Sequence, residues 1–427
     1  MRTKGLLVVA IAAAISSLPA CSRVYVAPPG SIESPAATSP LSVVYLVGDF
    51  GMPKDSFVEL TDAIGRNVEG DEALPLRSAP IILELGDNLY EQGLPHDLST
   101  PGAQEEIDKL RAIAAEFAEI RYRGDQVSLV LVPGNHDYQD NALVQEEFGD
   151  ISRWYFLEEL GVEGAEHWDH EPGDAAGFES AAALSAHIDG NPRAHTDFMK
   201  PVLIAGTGDD VFIVALDSEL VLDLYAEGLD DLADAYLDRL AEALDALPAG
   251  GWKLIATHHP PVTYGKHGRP SFGNWLFGQG WPQFPKTWQW GLAAAVPLGV
   301  GLAIVAAPAV STAMLSRRKQ DVGSEPYRRY ADKLLEIAHN HSVAVILAGH
   351  DHNTQLIDLG SANVGAASGL LVVTGAGSRV DSVSKGPGLL AYVADYSYVR
   401  MVQYVSWLSF EVKGRHGELL YRYDLPR

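Results

Sequence analysis

Asp87 and Tyr90 are a carboxylate and a phenol at a spacing that suits metal binding. The apolar residues 81–85 predict a buried strand, and Gly86 and Asp87 follow it directly. In open α/β sheets, ligands bind at the carboxyl ends of the strands. An aspartate there can bridge two cations through its two oxygens, and Tyr90 can bring a phenolate to one of them. Alone, this pattern is a weak signal and favours an ordinary turn after a strand.

Four further apolar runs are each followed at once by side chains that bind metals. These motifs are Gly48-Asp49-Phe50-Gly51, Gly134-Asn135-His136-Asp137, Thr257-His258-His259-Pro260 and Gly349-His350-Asp351-His352. We predict that all five junctions converge on a single sheet edge. Carboxylate, amide, phenol and imidazole groups gathered there would form a two-metal site with one shared carboxylate. A structural role is the alternative for any one histidine, but the combination favours the metal site.

Composition narrows the class of protein. The chain has 427 residues, a net charge of −25 and one cysteine. Its length allows one large domain or two ordinary ones. The negative charge argues against a nucleic-acid partner, because phosphate backbones bind basic surfaces. One cysteine permits neither an intramolecular disulfide nor a cysteine-based metal site.

The N-terminus has the order of segments found in a secretory signal. A basic start is followed by an apolar run over residues 5–15 and by small residues up to Cys21. Leu18-Pro19-Ala20-Cys21 resembles the lipobox of bacterial lipoproteins, in which the cysteine is acylated; an ordinary signal peptide is the alternative. We predict a signal peptide over residues 1–21 and a flexible Pro/Ser/Ala-rich linker over residues 22–40. The protein is then expected to be exported, periplasmic or at the cell surface, and lipid-anchored to a bacterial membrane.

Residues 41–427 alternate apolar runs with helical patterns, which predicts an α/β domain. The predicted strands that carry the motifs cover residues 42–47, 81–85, 127–132, 252–256 and 343–347. A further strand is predicted over residues 211–216, and helices over residues 54–68, 105–122 and 230–247. Residues 381–407 are expected to hold closing strands and a loop.

The five motifs, in this order, resemble the calcineurin-like metallophosphoesterase superfamily. The Gly-Asp-x-Gly start and Tyr90 resemble its purple acid phosphatase branch, and the similarity is closest to the small tartrate-resistant type. It covers residues 43–378 and includes the loop at residues 263–268, which contains His267. The resemblance implies an α/β fold, a four-layer αββα sandwich with two central mixed β-sheets.

The resemblance also implies two metal ions that share Asp87. The first would be bound by Asp49, Asp87, Tyr90 and His352, and the second by Asp87, Asn135, His258 and His350. In the family the first ion is Fe(III), which a phenolate stabilises, and the second is Zn(II), Fe(II) or Mn(II). The family motif assigns the ligand to His258 and leaves His259 as a neighbouring wall residue.

Two cations about 3.5–4 Å apart can hold a phosphate ester and lower the pKa of bound water. The resulting hydroxide is expected to attack phosphorus opposite the leaving alkoxide. The resemblance implies that His136 and His267 face the substrate, and one of them should protonate the leaving group. Asp137 could orient His136 or could be an ordinary turn carboxylate.

The predicted function is therefore hydrolysis of phosphomonoesters by metal-activated hydroxide, favoured at acidic pH as in the resembling family. A phosphodiesterase or pyrophosphatase that acts on membrane-proximal substrates such as lipid headgroups is an alternative for the same site. A non-enzymatic surface module on this scaffold is the alternative from another class. That module would require a missing ligand, and all seven ligand positions carry the expected residue types.

The segment between the third and fourth motifs departs from a compact pattern. Residues 139–209 are irregular and rich in glycine and aspartate, and their histidines lack paired spacing. We predict a cap-like insert that shapes substrate choice, without further metal ligands.

A second insert covers residues 269–319. It has an aromatic-rich start, an uncharged stretch over residues 291–315 and a basic end, which together resemble a membrane span. A single crossing is excluded because the histidines of the fourth and fifth motifs must share one site. A re-entrant or interfacial hairpin over residues 288–316 is predicted, with packing on protein as the alternative. Membrane contact is expected through this segment and an acylated Cys21.

Overall fold

The structure is a computed structural model. It describes residues 24–26, 39–90, 101–137, 166–167, 202–204, 211–268, 319–362 and 364–427, with backbone alone at 166–167 and 202–204. The predicted signal peptide, most of the insert at residues 139–209 and nearly all of the insert at residues 269–319 lie outside these ranges.

The first of two central sheets carries the first three motifs. Its strands, in order across the sheet, are β17 (Leu419–Pro426), β16 (Trp407–Gly414), β15 (Ser397–Gln403), β2 (Ser42–Val47), β3 (Ile81–Leu85), β6 (Ser128–Val132) and β7 (Glu166–His167). The strands β2, β3, β6 and β7 run parallel, and β15 is antiparallel to β2. A separate ribbon pairs β4 (Arg121–Tyr122) with β5 (Asp125–Gln126).

The second sheet carries the fourth and fifth motifs. Its strands, in order, are β1 (Val24–Val26), β14 (Leu389–Val393), β12 (Thr354–Asp358), β13 (Leu370–Thr374), β11 (Val345–Ala348), β10 (Trp252–Thr257), β9 (Val211–Leu216) and β8 (Val202–Ile204). Strands β9, β10, β11 and β13 run parallel, and β1, β12 and β8 join antiparallel. Strand β1 falls inside the predicted linker, where Tyr25 stacks on Tyr392 with ring centroids 5.6 Å apart.

Helices cover the outer faces of the two sheets. They are α1 (Asp55–Asp71), α2 (Pro101–Ala118), α3 (Ser218–Ala226), α4 (Asp230–Asp245) and α5 (Glu325–Asn340). Alternate residues of β2 show the layering, because Tyr45 packs with α1 and α2 whereas Val44 and Leu46 pack against the second sheet. Helices α3, α4 and α5 form a separate core with the other face of the second sheet. The predicted four-layer αββα sandwich with two mixed sheets is confirmed.

The strands that carry the motifs are divided between the two sheets. Strands β2, β3 and β6 are neighbours in one sheet, and β10 and β11 are neighbours in the other. The expectation that all five junctions meet on one sheet edge is therefore wrong, because the edges of two stacked sheets meet instead. Apolar runs show that a strand is buried, but they do not show which strand pairs with which.

A buried ion pair fixes α1 on the first sheet. Arg400 on β15 donates from Nε and Nη2 to the two carboxylate oxygens of Asp71, at 3.2 and 2.5 Å. The Tyr45 hydroxyl donates to the same carboxylate at 2.6 Å, and Arg400 Nη1 donates to Glu411 at 3.0 Å. This network joins the end of α1 to three strands, β2, β15 and β16.

Replacing Arg400 with methionine is expected to lower the free energy of unfolding by about 3–5 kcal/mol. The reason is that Asp71, 4% exposed, would keep a buried charge without its cationic partner. Chemical denaturation measures the change. The double variant Arg400→Met with Asp71→Asn should recover part of the loss, and a single variant as stable as the unchanged protein would contradict the prediction.

Candidate metal centre

Three candidate ligands lie on strained backbone at strand ends. Asp49, Asp87 and His350 have φ angles of 59°, 59° and 69°, which residues other than glycine rarely adopt. Hydrogen bonds hold this conformation, since Asp49 N donates to Gly86 O at 2.8 Å and His350 N donates to Asp49 Oδ2 at 2.8 Å. Backbone strain of this kind persists only where the surroundings enforce it, and it is concentrated at functional sites.

Four donor atoms form what we term the first cluster. Tyr90 Oη lies 3.0 Å from Asp49 Oδ1, 2.6 Å from Asp87 Oδ2 and 3.1 Å from His352 Nε2. Asp49 Oδ1 is 3.5 Å from His352 Nε2. His352 Nδ1 lies 3.3 Å from Asp381 Oδ2, so its N–H faces that carboxylate and Nε2 offers a lone pair to the cluster. The single Tyr90 proton cannot satisfy all of these acceptors.

Four further donor atoms form the second cluster. Asn135 Oδ1 is 3.1 Å from His258 Nε2 and 3.0 Å from His350 Nδ1. The two imidazole nitrogens are 3.3 Å apart, and His258 Nε2 is also 3.3 Å from Asp87 Oδ1. Asp87 therefore places one oxygen in each cluster.

Backbone carbonyls determine which imidazole nitrogens face the second cluster. His258 Nδ1 is 2.8 Å from Leu85 O, and His350 Nε2 is 3.2 Å from Gln320 O. Burial lowers the pKa of both histidines, so each ring is neutral and carries one N–H. Because that N–H is used by the carbonyl, the nitrogen that faces the cluster presents a lone pair.

The donor atoms fit a bound cation. Converging lone pairs repel one another unless a positive charge lies among them. Ligands about 2.0–2.2 Å from a metal lie roughly 3.0–3.5 Å from each other, and the second cluster has separations of 3.0–3.3 Å. Oxygen and imidazole donors suit zinc, manganese and iron, whereas thiolates would select softer ions.

The electrostatics of the first cluster agree with this interpretation. Burial and the neighbouring Asp87 hold the pKa of Asp49 well above its usual value. Burial and the two carboxylates likewise raise the pKa of Tyr90. All three groups are at most 1% exposed, so their ionised forms need a nearby positive charge.

Glycines in the motifs allow strand ends to approach each other at the site, both within one sheet and between the two sheets. A Cβ on Gly134 would lie 2.2 Å from Asp87 N and 2.4 Å from Asp87 Oδ1. A Cβ on Gly349 would lie 2.5 Å from Leu85 O and 2.8 Å from Asp49 Oδ2. These motif glycines are therefore required by the close packing of the ligands.

His136 and His267 lie beside different clusters. The ring of His136 is centred 4.6 Å from the ring of Tyr90, and its backbone N–H donates to Asp87 Oδ1 at 2.8 Å. The ring of His267 is centred 4.1 Å from the ring of His350. All nine residues singled out as ligands or candidate catalytic histidines are thus brought together.

His259, expected to be a neighbouring wall residue, lies close to two ligands of the second cluster, His258 and His350. The nitrogens of His258, His259 and His350 include atoms within 4.8 Å of one another. Nδ1 of His259, however, is 2.8 Å from Ser218 Oγ, on α3. His258 is the member of the pair whose nitrogen contacts both Asp87 and Asn135.

Four aspartates around the site have roles that the sequence did not define. Asp137 accepts hydrogen bonds from the backbone of the second and third motifs, which favours the turn role over orientation of His136. Asp351 accepts from the Thr263 hydroxyl and from His267 N. Asp321 and Asp381 face His267 and His352. The last two lie outside every motif, so no sequence signal pointed to them.

This fold and this pair of clusters define a metal-dependent phosphoesterase scaffold. The family model of the calcineurin-like phosphoesterases matches residues 43–281, more than half of the chain. The protein therefore belongs to the calcineurin-like phosphoesterase family. No curated protein matches the sequence.

Two solved structures resemble the chain at low identity. GAP50, the anchor in the inner membrane complex of Plasmodium, is 11% identical with a TM-score of 0.50, and the match covers 91% of this chain and 89% of GAP50. Purple acid phosphatase PPD1 from yellow lupin seeds is 13% identical with a TM-score of 0.49, covering 91% of this chain and 54% of the lupin chain. At such identities the likeness to GAP50 supports a shared fold and nothing finer.

Proposed function

We propose that the protein is a binuclear metal-dependent phosphatase that hydrolyses phosphomonoesters. The observation that carries this proposal is Asp87, whose Oδ2 is 2.6 Å from Tyr90 Oη while its Oδ1 is 3.3 Å from His258 Nε2. Two bound cations would polarise a phosphate ester and activate a water molecule. Membership of the phosphoesterase family supports this class of reaction.

Different residues of the chain would bind the two cations, contact the substrate and protonate the leaving group. The first cation would be held by Asp49, Tyr90 and His352. The second cation would be held by Asn135, His258 and His350. Asp87 would contact both cations. His136 and His267 would contact the substrate from the sides of the two clusters. Nδ1 of His267 faces Asp321, which leaves Nε2 to protonate the leaving group, a contribution of about 10²- to 10⁴-fold.

The phenol in the first cluster supports the purple acid phosphatase branch. A phenolate is a hard, charged ligand that stabilises a trivalent ion, so we assign Fe(III) to the first cluster. Zn(II), Fe(II) or Mn(II) would occupy the second, whose donors are two imidazoles, an amide and the shared carboxylate.

Tyr90→Phe is expected to abolish a visible tyrosinate–iron absorption band of the purified protein. The substitution keeps the buried ring and removes the oxygen that lies among Asp49, Asp87 and His352. Absorption spectra and metal analysis check this result, with about two metals expected per unaltered chain. Tyr398→Phe, whose hydroxyl contacts Ala63 O and Asn67 away from the clusters, is the control.

Other outcomes of this experiment have different meanings. Two divalent metals and activity without a band would refute the iron assignment and leave a phosphoesterase of the wider family. A folded protein that binds no metal, prepared without chelators, would refute the enzymatic proposal. That result would favour the non-enzymatic surface module.

We also propose that the protein is exported and contacts a membrane. This proposal rests on the signal-like N-terminus and on the apolar residues 288–316. Both segments lie outside the described residues. Within the part of the chain that the structure describes, no helix has the length and apolar character needed to cross a bilayer.

A further inference from the structure

Residues 319–324, which we term the return turn, begin at the last residue of the insert between the fourth and fifth motifs. Lys319 anchors the start of this turn to α3. Its Nζ is 2.7 Å from Glu219 Oε1 and also pairs with Asp223. Both carboxylates belong to buried residues, 2% and 3% exposed, and Lys319 pairs with both of them.

Ser324 anchors the end of the return turn to α5. Its hydroxyl donates to Lys319 O at 2.9 Å and accepts from Tyr327 N, so it closes the turn and caps the helix together. Ser324 N also donates to Asp321 O at 2.7 Å. The turn is therefore held at both ends by elements of the second sheet's helix layer.

Consecutive residues of this turn contact the candidate metal centre. Gln320 O accepts from His350 Nε2 at 3.2 Å. Asp321 Oδ1 is 3.1 Å from His267 Nδ1, and Val322 N donates to His267 O at 3.2 Å. The return turn thus supplies one hydrogen-bond partner for His350, a ligand of the second cluster, and two for His267.

His267 is fixed from its other side as well. Asp351 Oδ1 accepts its backbone N–H at 3.2 Å, and its side chain is 14% exposed. With Nδ1 facing a carboxylate, Nε2 is the ring nitrogen that is left to act on a substrate.

The Asp321–His267 contact is better explained by function than by stability. The carboxylate of Asp321 is 34% exposed, so solvent screens its interaction with His267. Ion pairs that water reaches typically contribute about 0–1 kcal/mol to folding. A carboxylate bonded to one ring nitrogen does, however, fix the tautomer and the orientation of an imidazole.

We propose that Asp321 is the positioning residue of His267, and that Lys319 holds the return turn so that Asp321 and Gln320 meet His267 and His350. This inference rests on the proposed function, in which His267 protonates the leaving group. Neither Asp321 nor Lys319 contacts substrate in this proposal, since each acts through a histidine.

The test compares aryl phosphates whose leaving groups differ in their need for a proton. In Asp321→Asn and Asp321→Ala, kcat/KM for phenyl phosphate should fall about 10- to 100-fold. For 2,4-dinitrophenyl phosphate, whose leaving group departs as a stable anion, it should stay within about threefold. Asp245→Asn, which alters the exposed Asp245–His341 pair with atoms 2.8 Å apart, is the matched control. Equal losses for the two esters, or no loss for either, would overturn the role of Asp321.

Two variants test Lys319: one removes its charge and the other keeps it. Lys319→Met should reproduce the ester-dependent loss and weaken the binding of zinc chloride, measured by calorimetry, about 10-fold. Lys319→Arg should restore both properties because it keeps the charge between Glu219 and Asp223. Lys333→Met, in an ion pair of 3.4 Å with Asp238 between α5 and α4, is the control. Equal zinc affinity in Lys319→Met and the unaltered protein would overturn the anchoring role.

A readout without catalysis separates this inference from the proposed function. Ring ¹⁵N shifts of His267 in the full-length protein should show the Nδ1–H tautomer when the ring is neutral, and N–H groups on both nitrogens in the protonated ring that acts as the acid. The preference for Nδ1–H in the neutral ring should be lost in Asp321→Ala. Failure of the unaltered protein to hydrolyse either ester would refute the phosphatase proposal alone. Unchanged His267 ring shifts in Asp321→Ala would refute the positioning role, whatever the activity.

Discussion

Asp87→Asn is expected to lower kcat/KM for an aryl phosphomonoester by roughly 10³-fold or more. Asparagine has nearly the shape of aspartate but lacks its charge and one of its oxygens. In the protein one oxygen of Asp87 lies in each donor cluster, so the substitution affects both cation sites together. Metals typically contribute several kcal/mol to catalysis, and each 1.4 kcal/mol is about a factor of ten in rate.

The same substitution should change the stability of the metal-free protein much less than it changes catalysis. Burial and Asp87 hold the pKa of Asp49 well above its usual value, so removing the charge of Asp87 relieves one repulsion. Burial also raises the pKa of Asp87, but His258, His136 and its hydrogen bonds outweigh burial and lower that pKa overall, so the substitution loses favourable contacts as well. The two contributions oppose each other, and the free energy of unfolding is expected to stay within about 1 kcal/mol of the unaltered value.

Steady-state kinetics, metal analysis and denaturation of the chelated protein measure these effects. Asp245→Asn, at an exposed carboxylate, should change none of them. A variant that keeps two metals and activity within about tenfold of the unaltered protein would contradict the shared role of Asp87.

The sequence predicted the motif-bearing strands well because each is buried on both faces. Residues 42–47 and 81–85 are apolar apart from Ser42 and Glu84, and residues 211–216 are apolar throughout. Strands β2, β3 and β9 have these bounds. Strands without such runs, including β12, which begins Thr354-Gln355, were not predicted. Helix α5 was also missed, although Ser324 and Pro326 are typical start signals.

The geometry around the ligands could not be read from the sequence. The motifs and the family resemblance that they carry were enough to propose Asp49, Asn135 and His350 as ligands. The partners of these residues come from distant places, as when Gln320 O meets His350 and Asp381 meets His352. Backbone carbonyls have no sequence signature, and a lone aspartate in a loop has no distinctive one.

Asp137→Ala is expected to lower the free energy of unfolding by about 3–5 kcal/mol. The carboxylate of Asp137 is fully buried and accepts from Asp87 N at 3.1 Å, Leu89 N at 3.0 Å and Gly134 N at 2.6 Å. Each of these N–H groups would be left without its acceptor, at about 1–3 kcal/mol apiece. Denaturation in guanidinium chloride measures the loss.

The bonds of Asp137 also join the end of β3 to the end of β6, which carry Asp87 and Asn135. Their loss should therefore weaken zinc binding roughly 10- to 100-fold, measured by calorimetry. Asn88→Ala is the matched variant, because its side chain donates to Asp137 at 2.8 Å without touching the backbone N–H groups of Asp87 or Gly134. It should keep most of the zinc affinity. If Asp137→Ala loses stability but binds zinc as tightly as the unaltered protein, Asp137 serves the fold alone. If the variant loses both, the hydrogen bonds that Asp137 accepts from the backbone are needed to hold the metal ligands in place.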